Sequence, residues 1–382
     1  FKELRTQLEN QDEPFQTQSD TELLLVLLAR EGPSALSKLR GMFALALWDA
    51  QENKLLLARD SFGIKPLYHT TQSGSLAFAS EIRPLLAGDW VSAELSPEAL
   101  FYYLQNGSAS PDLPLIAGVQ ALPAGTWLEW TPTGQRSGKL PPIPLDHQSP
   151  TATVQDFRQT LLDSAQIHLT SDVPVGLFLS SGVDSASLLA ALRASGQQLP
   201  TSLTLSFPGT AWDEAPEASY LASHFGSPHI IRSLDPEQEI IPWFQHHLQN
   251  SDLPSIDGFN VYCISKVSRE HGFKVALSGL GGDELLGGYP SFHRVPHLVR
   301  AGRLLQALPG MQSCLSSVFT LTGSRGQRLA EFFSGPPTSN RAMHTYRCIF
   351  PDNVVSTLLK SGESRLQVST PPACGSNFHP HQ

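Results

Sequence analysis

Apolar and polar positions alternate in two different ways along this chain, and the change falls about a third of the way in. Before it, a helical face is marked by Phe1, Leu4 and Leu8, and a second helix by Leu23 to Ala29. Ser19 or Asp20 would cap that second helix, and Asp20 favours its positive end. Short apolar runs follow: Gly41 to Asp49, Lys54 to Arg59, and Leu76 to Ile82, with Ala50 to Asn53 and Gly74 as turns. Leu122 to Trp130 closes the series. Hairpin-spaced strands with few helices predict an antiparallel-sheet domain of α+β type.

After about residue 150 the period lengthens. Val154, Phe157, Leu161, Leu162, Ala165 and Leu169 predict a helix. Strands at Val175 to Leu179, Leu203 to Phe207, His229 to Ser233 and Phe273 to Leu277 alternate with helices at Asp184 to Leu192, Glu217 to Phe225 and Val261 to His271. That alternation predicts an α/β domain with a parallel sheet. Between the two patterns, Gly134 to Pro150 is rich in Pro, Gly and Ser and is expected to connect them. The expected layout is therefore a first domain over 1–133, a connecting segment over 134–150 and a second domain over 151–382.

Composition narrows the function classes. The 382 residues are 40% hydrophobic and 16% charged, enough for sizeable cores and unlike a disordered chain. The net charge is −9 with no basic run, which argues against nucleic acid or an anionic membrane as partner. No apolar run is long enough for a membrane span. The four cysteines are scattered without metal-type pairing and are expected to be reduced thiols in a cytoplasmic protein. Among the histidines, His224, His229, His246, His247 and His271 show no ligand spacing, and His246-His247 reads as a solvated helix face.

Candidate chemistry concentrates in two loops. Val173 to Ser185 reads V-P-V-G-L-F-L-S-S-G-V-D-S: a buried strand, a turn of Ser180, Ser181 and Gly182, then a helix opened by Asp184 and Ser185. A strand, a polar loop and a helix N-terminus offer backbone N–H groups, hydroxyls and a favourable dipole to an anion. The loop has neither the Walker lysine nor the G-x-G-x-x-G fingerprint, and on its own it also reads as a capped helix after a core strand. About a hundred residues on, Ser278-Gly-Leu-Gly-Gly-Asp283-Glu follows another strand. Two strand-end loops each ending in an aspartate, Asp184 and Asp283, can converge on Mg²⁺, which takes one or two carboxylates plus phosphate oxygens and water.

In the first part, G-M-F-A-L-A-L-W-D, L-L-L-A-R-D-S-F-G-I-K-P-L-Y, L-A-F-A-S-E-I, the S-D-T-E before the second helix and L-P-A-G-T-W-L-E-W together resemble the glutaminase domain of glutamine-hydrolysing asparagine synthetases. The second part resembles that family's ATP-pyrophosphatase domain, whose S-G-G-x-D-S loop stands here as S-S-G-V-D-S. The resemblance implies that Asp20 grips the α-amino group of glutamine. It implies that Leu179 and Leu205 line the adenine and ribose site, and that Ser180, Ser181, Gly182, Asp184 and Ser185 bind ATP. It places Ser278 and Gly279 at the adenylate, and Asp184 and Asp283 on Mg²⁺. Asp213-Glu214 and Asp252 to Asn260 also sit where family motifs sit.

The implied reaction is ATP-dependent amidation of L-aspartate with nitrogen from glutamine, through an acyl-adenylate. A homodimer is compatible with the resemblance. The family's N-terminal cysteine nucleophile, glutamine-binding arginine and Asn-Gly-Glu segment belong before the equivalent of Phe1, and a late lysine belongs beyond the helical region. Truncation at both ends, and no glutaminase activity from these residues alone, are therefore expected. Two positions depart from the pattern. Ser181 replaces a glycine, a cost of roughly 1–2 kcal/mol if φ must be positive. Leu280 replaces a glutamate that accepts a proton from the attacking ammonia. The leucine opens one alternative, amidation of another carboxylate such as a sugar uronic acid, as in related asparagine-synthase-like proteins. The absence of the nucleophile and the late lysine opens another, a non-catalytic binding protein on the same fold.

Overall fold

A computed structural model describes residues 2–11, 13–141, 153–308, 311–320 and 323–362. The chain divides into two compact units, one drawn from Phe1–Tyr103, Ala109–Asp146 and Leu358–Gln382, the other from Leu104–Ser108 and His147–Thr357.

The first unit opens with helices α1 (Lys2–Glu9) and α2 (Asp20–Glu31) and a 3₁₀ turn at Gly32–Lys38. Strands β1 (Ala44–Asp49), β2 (Lys54–Arg59), β3 (Tyr68–Gln72) and β4 (Ser75–Ala79) follow, then α3 (Ile82–Ala87) and α4 (Pro97–Asn106). β5 (Gln120–Ala121), β6 (Thr126–Thr131) and β7 (Gly134–Lys139) complete it. They form two antiparallel sheets, ordered β1-β2-β6-β7 and β4-β3-β5.

β2 is buried on both faces, which explains its unbroken apolar run. Leu56 and Ala58 pack with Leu23, Leu27 and Leu36 from the helical layer. Leu55 and Leu57 pack on the opposite face with Leu67, Leu122 and Leu128. Between β1 and β2 the Asp49 carboxylate accepts the N–H groups of Gln51 and Glu52 at 3.0 and 3.1 Å, and Asn53 takes a φ of 48° to close the turn.

The D-S-F-G-I-K block folds as a loop held by its own first residue. Asp60, 1% exposed, accepts N–H bonds from Phe43, Phe62, Ile64 and Lys65 at 3.0–3.2 Å. Arg59, also buried, donates to the carbonyls of Gly63, Lys65 and Leu122. Asp60→Ala would leave four part-buried N–H donors without their acceptor. It is expected to destabilise the first unit by about 3 kcal/mol, read as a lowered urea midpoint.

Gly134 to Lys139 differs from the sequence expectation. It is strand β7, paired in full register with β6, instead of the opening of the connecting segment. An edge strand needs no apolar face. Here Arg136 grips Glu129 across the ladder at 2.6 and 3.0 Å and holds its carboxyl below the usual range. Residues 142–150 of that segment lie outside the described residues.

In the second unit, α5 (Val154–His168) begins with a capping box in which Thr153 and Asp156 satisfy each other's backbone N–H groups. β8 (Val175–Phe178), α6 (Val183–Ala194), β9 (Thr201–Ser206), α7 (Ala215–Phe225), β10 (His229–Ser233), α8 (Ile241–Asn250), α9 (Gly258–Glu270), β11 (Val275–Leu277) and α10 (Gly282–Leu286) then alternate. Among the described residues five further helices follow: α11 (Ser291–Gln306), α12 (Met311–Thr320), α13 (Gly323–Phe333), α14 (Ser339–Arg347) and α15 (Asp352–Gly362).

The four strands pair in parallel in the order β10-β9-β8-β11. The chain runs outward from β8 to β10, then returns to place β11 on the other side of β8. That reversal creates a crevice beyond the carboxyl ends of β8 and β11. Leu177, Leu179, Leu189, Leu192, Ala218 and Leu277 form the core beneath it. Leu277→Ala removes one of these side chains, and core truncations of this kind cost about 2–5 kcal/mol. Cys263 and Cys348 are buried free thiols, and burial pushes the Cys263 thiol up to about 11. Among the described residues no helix is long and apolar enough to cross a membrane.

Candidate active site

Both loops singled out in the sequence leave the sheet at this crevice. After β8, Leu179 continues the ladder by donating its N–H to Leu203 at 2.9 Å. Its carbonyl accepts the Thr204 hydroxyl at 2.7 Å. That hydroxyl has one proton, so its 2.8 Å contact with His229 Nε2 must be one it accepts. Nε2 therefore carries a proton, and burial lowers the pKa of His229, which favours the neutral Nε2–H tautomer. Thr204 and His229 fix where the loop departs, a role that sequence reading missed.

Ser180 to Ser185 form a self-bonded loop. The Ser185 side chain, 6% exposed, lies 2.9 Å from the Ser180 hydroxyl and accepts the Ser180 N–H at 3.2 Å. The Ser180 hydroxyl also accepts the N–H of Gly182. Ser185 therefore shapes the loop from beneath, while Ser181 and Gly182 are exposed on top. Gly182 stands at the N-cap of α6 and no side chain caps it, so the first turn keeps N–H groups for an incoming anion. Ser181 is not among the residues with positive φ, so the strain considered for a serine there does not arise. Its hydroxyl donates to Glu214 at 2.9 Å.

Glu214 is carried by the turn after β9. Asp213 there accepts the Ser206 hydroxyl and the N–H groups of Phe207 and Ala215, tying the end of β9 to the start of α7. An open cleft of about 390 Å³ lies beside Ser181, walled by Pro216, Glu217, Tyr220 and Leu221.

The second loop meets the first through glycines. A Cβ at Gly279 would stand 2.8 Å from the Ser185 nitrogen and 2.9 Å from the Asp184 carbonyl carbon. One at Gly282 would stand 2.5 Å from the Asp184 carboxylate. The backbone of 279–282 therefore lies directly on the start of α6, and Asp184 points at the residue preceding Asp283. Gly281 has a φ of 101°, a conformation that strains any other residue. The Asp283 carboxylate lies against Gly288, and the Ser278 hydroxyl accepts the N–H of Leu280 at 3.3 Å. Leu280 is 87% exposed.

Ser180, Ser181, Gly182, Asp184, Ser185, Ser278, Gly279 and Asp283 are thus carried by two adjoining loops. Leu179 is buried below them, and the half-buried Leu205 sits on β9 opposite Arg232. Asp20 belongs to the other unit. It is the exposed first residue of α2, and the cap is Ser19, which accepts the Thr21 N–H at 3.1 Å. Glu22 of the same S-D-T-E block accepts the Gln16 and Thr17 N–H groups at 2.7 Å, which lowers its pKa.

Residues 1–139 match the family model described as a glutamine amidotransferase domain, and residues 156–345 match the one described as asparagine synthase. The chain is 32% identical over 366 residues to glutamine-hydrolysing asparagine synthetase 1 of Bacillus subtilis, covering 94% of this chain and 56% of that protein. It belongs to the glutamine-hydrolysing asparagine synthetase family. Other members include asparagine synthetase B of Escherichia coli, 31% identical over 74% of this chain and 49% of that protein. An amidase of Penicillium rubens is also similar, 32% identical over 72% of this chain and 44% of its own length. The chain spans about half the length of the curated relatives it matches. The match to asparagine synthase includes both strand-end loops and the turn that carries Glu214, so the crevice of this asparagine synthetase family chain lies within it.

Proposed function

We propose that the second unit performs the ATP-dependent step of amide synthesis, with L-aspartate as acceptor and L-asparagine, AMP and pyrophosphate as products. Its nitrogen would come from glutamine hydrolysed to glutamate by a glutaminase half that includes the first unit, where Asp20 would grip the glutamine α-amino group. The observation that carries this reading is the packing of Gly279 and Gly282 onto Asp184 and Ser185, which joins two strand-end loops at one crevice.

A carboxylate is a poor electrophile, and adenylation solves that problem. Its oxygen attacks the α-phosphorus of ATP, pyrophosphate leaves, and ammonia then displaces AMP from the acyl carbon. The uncapped N–H groups at the start of α6 and the Ser180 and Ser181 hydroxyls would receive the phosphate charge. Ser185 would hold the loop in shape, Leu179 and Leu205 would line the adenosine side, and Ser278 and Gly279 would face the adenylate. Two carboxylates on adjoining loops suit Mg²⁺, so Asp184 and Asp283 would hold it, and it would neutralise charge on the departing pyrophosphate. Buried free thiols at Cys263 and Cys348 suit a cytoplasmic setting.

Leu280 favours a second reading of the acceptor. Its exposed side chain offers no proton acceptor where the family resemblance places a glutamate. An acceptor such as a uronic acid, with its own hydroxyls, is the alternative. ATP–pyrophosphate exchange by the chain with aspartate and with a panel of sugar acids separates the two. Exchange with aspartate is the expected result. Exchange with sugar acids alone would overturn the aspartate assignment and keep the adenylation chemistry. Mg-ATP binding without exchange on any acid would point to the non-catalytic alternative.

A further inference from the structure

Among the described residues, one group outside the nucleotide loops offers three metal-ligating atoms at close range. Glu331 on α13, His344 on α14 and Asp352 at the first position of α15 bring one donor atom each to within 4.8 Å of one another. His344 Nε2 stands 3.2 Å from Asp352 Oδ1. We propose that these three side chains form a zinc-binding site that fastens the first turn of α15 to α13 and α14.

The backbone beneath the three ligands is fixed by burial. Glu331 immediately precedes Phe332, which is 1% exposed and packs with Val295, Val299, Phe333 and Ala342. His344 lies two residues after Ala342 on the same helix, and Asp352 follows the buried Pro351 and precedes the fully buried Val355. The donor tips remain half-buried or exposed, so an ion can enter and the side chains can adjust.

The donor set selects the ion. Two carboxylates and one imidazole carry a net charge of −2 when the ring is neutral, and a neutral ring is the ligating form. Zinc binds nitrogen and carboxylate oxygen at about 2.0–2.2 Å with tetrahedral geometry. Donors around such an ion stand about 3.3–3.6 Å apart, so the cluster must contract by roughly an ångström. Water would complete the coordination on the exposed side. Mg²⁺ and Ca²⁺ prefer all-oxygen sets, so the imidazole shifts preference toward zinc.

The competing description is a plain helix corner. Gln105 Nε2 donates to Asp352 Oδ1 at 2.5 Å, and Glu331 receives backbone N–H bonds from Asp352 and Asn353. Among the described residues His344 pairs with Asp352 alone, and a divalent cation would engage both carboxylates.

The test is calorimetric titration of the chelator-treated full chain with Zn²⁺ in a buffer containing Mg²⁺. One equivalent is expected to bind, with a rise in thermal midpoint. Asp352→Asn and His344→Ala are each expected to weaken binding at least tenfold and remove that rise, and circular dichroism of the metal-free variants establishes that they fold. Should His344→Ala unfold, Asp352→Asn decides alone, because its side chain is exposed. A cobalt-loaded chain is expected to show a visible spectrum without thiolate charge transfer. Absence of binding, binding unchanged in Asp352→Asn, or a thiolate band would each overturn the site.

Discussion

Asp184→Asn is expected to lower ATP–pyrophosphate exchange by about 10²-fold or more while leaving the urea midpoint of the second unit nearly unchanged. The carboxylate sits in the first turn of α6 against the backbone of Gly282, half-buried, with its loop held by hydrogen bonds that do not involve it. The amide keeps the volume and removes the charge. Charge is what a metal-bound pyrophosphate needs, so the loss should fall on nucleotide chemistry and spare the fold. Exchange rates and denaturant midpoints measured on the same preparations check this. Full exchange by the Asp184→Asn variant would remove Asp184 from the site.

Gly279→Ala is expected to be at least as damaging to activity and to cost stability as well. The added methyl would meet the Ser185 nitrogen at 2.8 Å and the Asp184 backbone at 2.9 Å, and neither can swing aside as a side-chain tip could. The second loop must lift off the start of α6, at a cost of about 1–3 kcal/mol. Gly282→Ala meets first the Asp184 carboxylate, at 2.5 Å, which can rotate away. The stability loss should therefore be smaller at 282 than at 279, with activity impaired at both. Equal stability at the two positions, by thermal midpoint, would contradict the packing described.

The strands of the second unit were legible because apolar runs such as Val175 to Phe178, or alternating apolar positions such as Leu203 and Leu205 in β9, fall between helical periods. β7 was not legible. Its G-Q-R-S-G-K has no apolar face, and only the ladder with β6 and the Arg136 grip on Glu129 make it a strand. The two loops were legible as motifs that can converge, but the glycine contact that joins them was not. The close approach of Gly279 and Gly282 to Asp184 joins residues about a hundred positions apart, and a Gly-rich loop by itself reads as a tight turn. The N-cap of α2 was narrowed to Ser19 or Asp20 and is Ser19, which leaves the Asp20 carboxylate exposed.

Supporting residues left almost no local signal. Thr204 and His229 matter because parallel pairing places β10 beside β9, and Glu214 because the Asp213 bonds fold its turn back toward Ser181. Glu331, His344 and Asp352 lie on three different helices, and no spacing rule brings them together. Ser181 went the other way. Its residue type alone implies a cost at a glycine position, and its backbone conformation removes that cost.

The central claim is that Asp184 and Asp283 serve one nucleotide pocket, and a double-mutant cycle tests it most directly. Mg-ATP affinity would be measured for the parent chain, Asp184→Asn, Asp283→Asn and the double variant. A shared cation predicts strong non-additivity, with a coupling of about 1–3 kcal/mol because the second substitution has little left to remove. Losses that simply add, or an Asp283→Asn chain that binds Mg-ATP like the parent, would contradict the shared pocket.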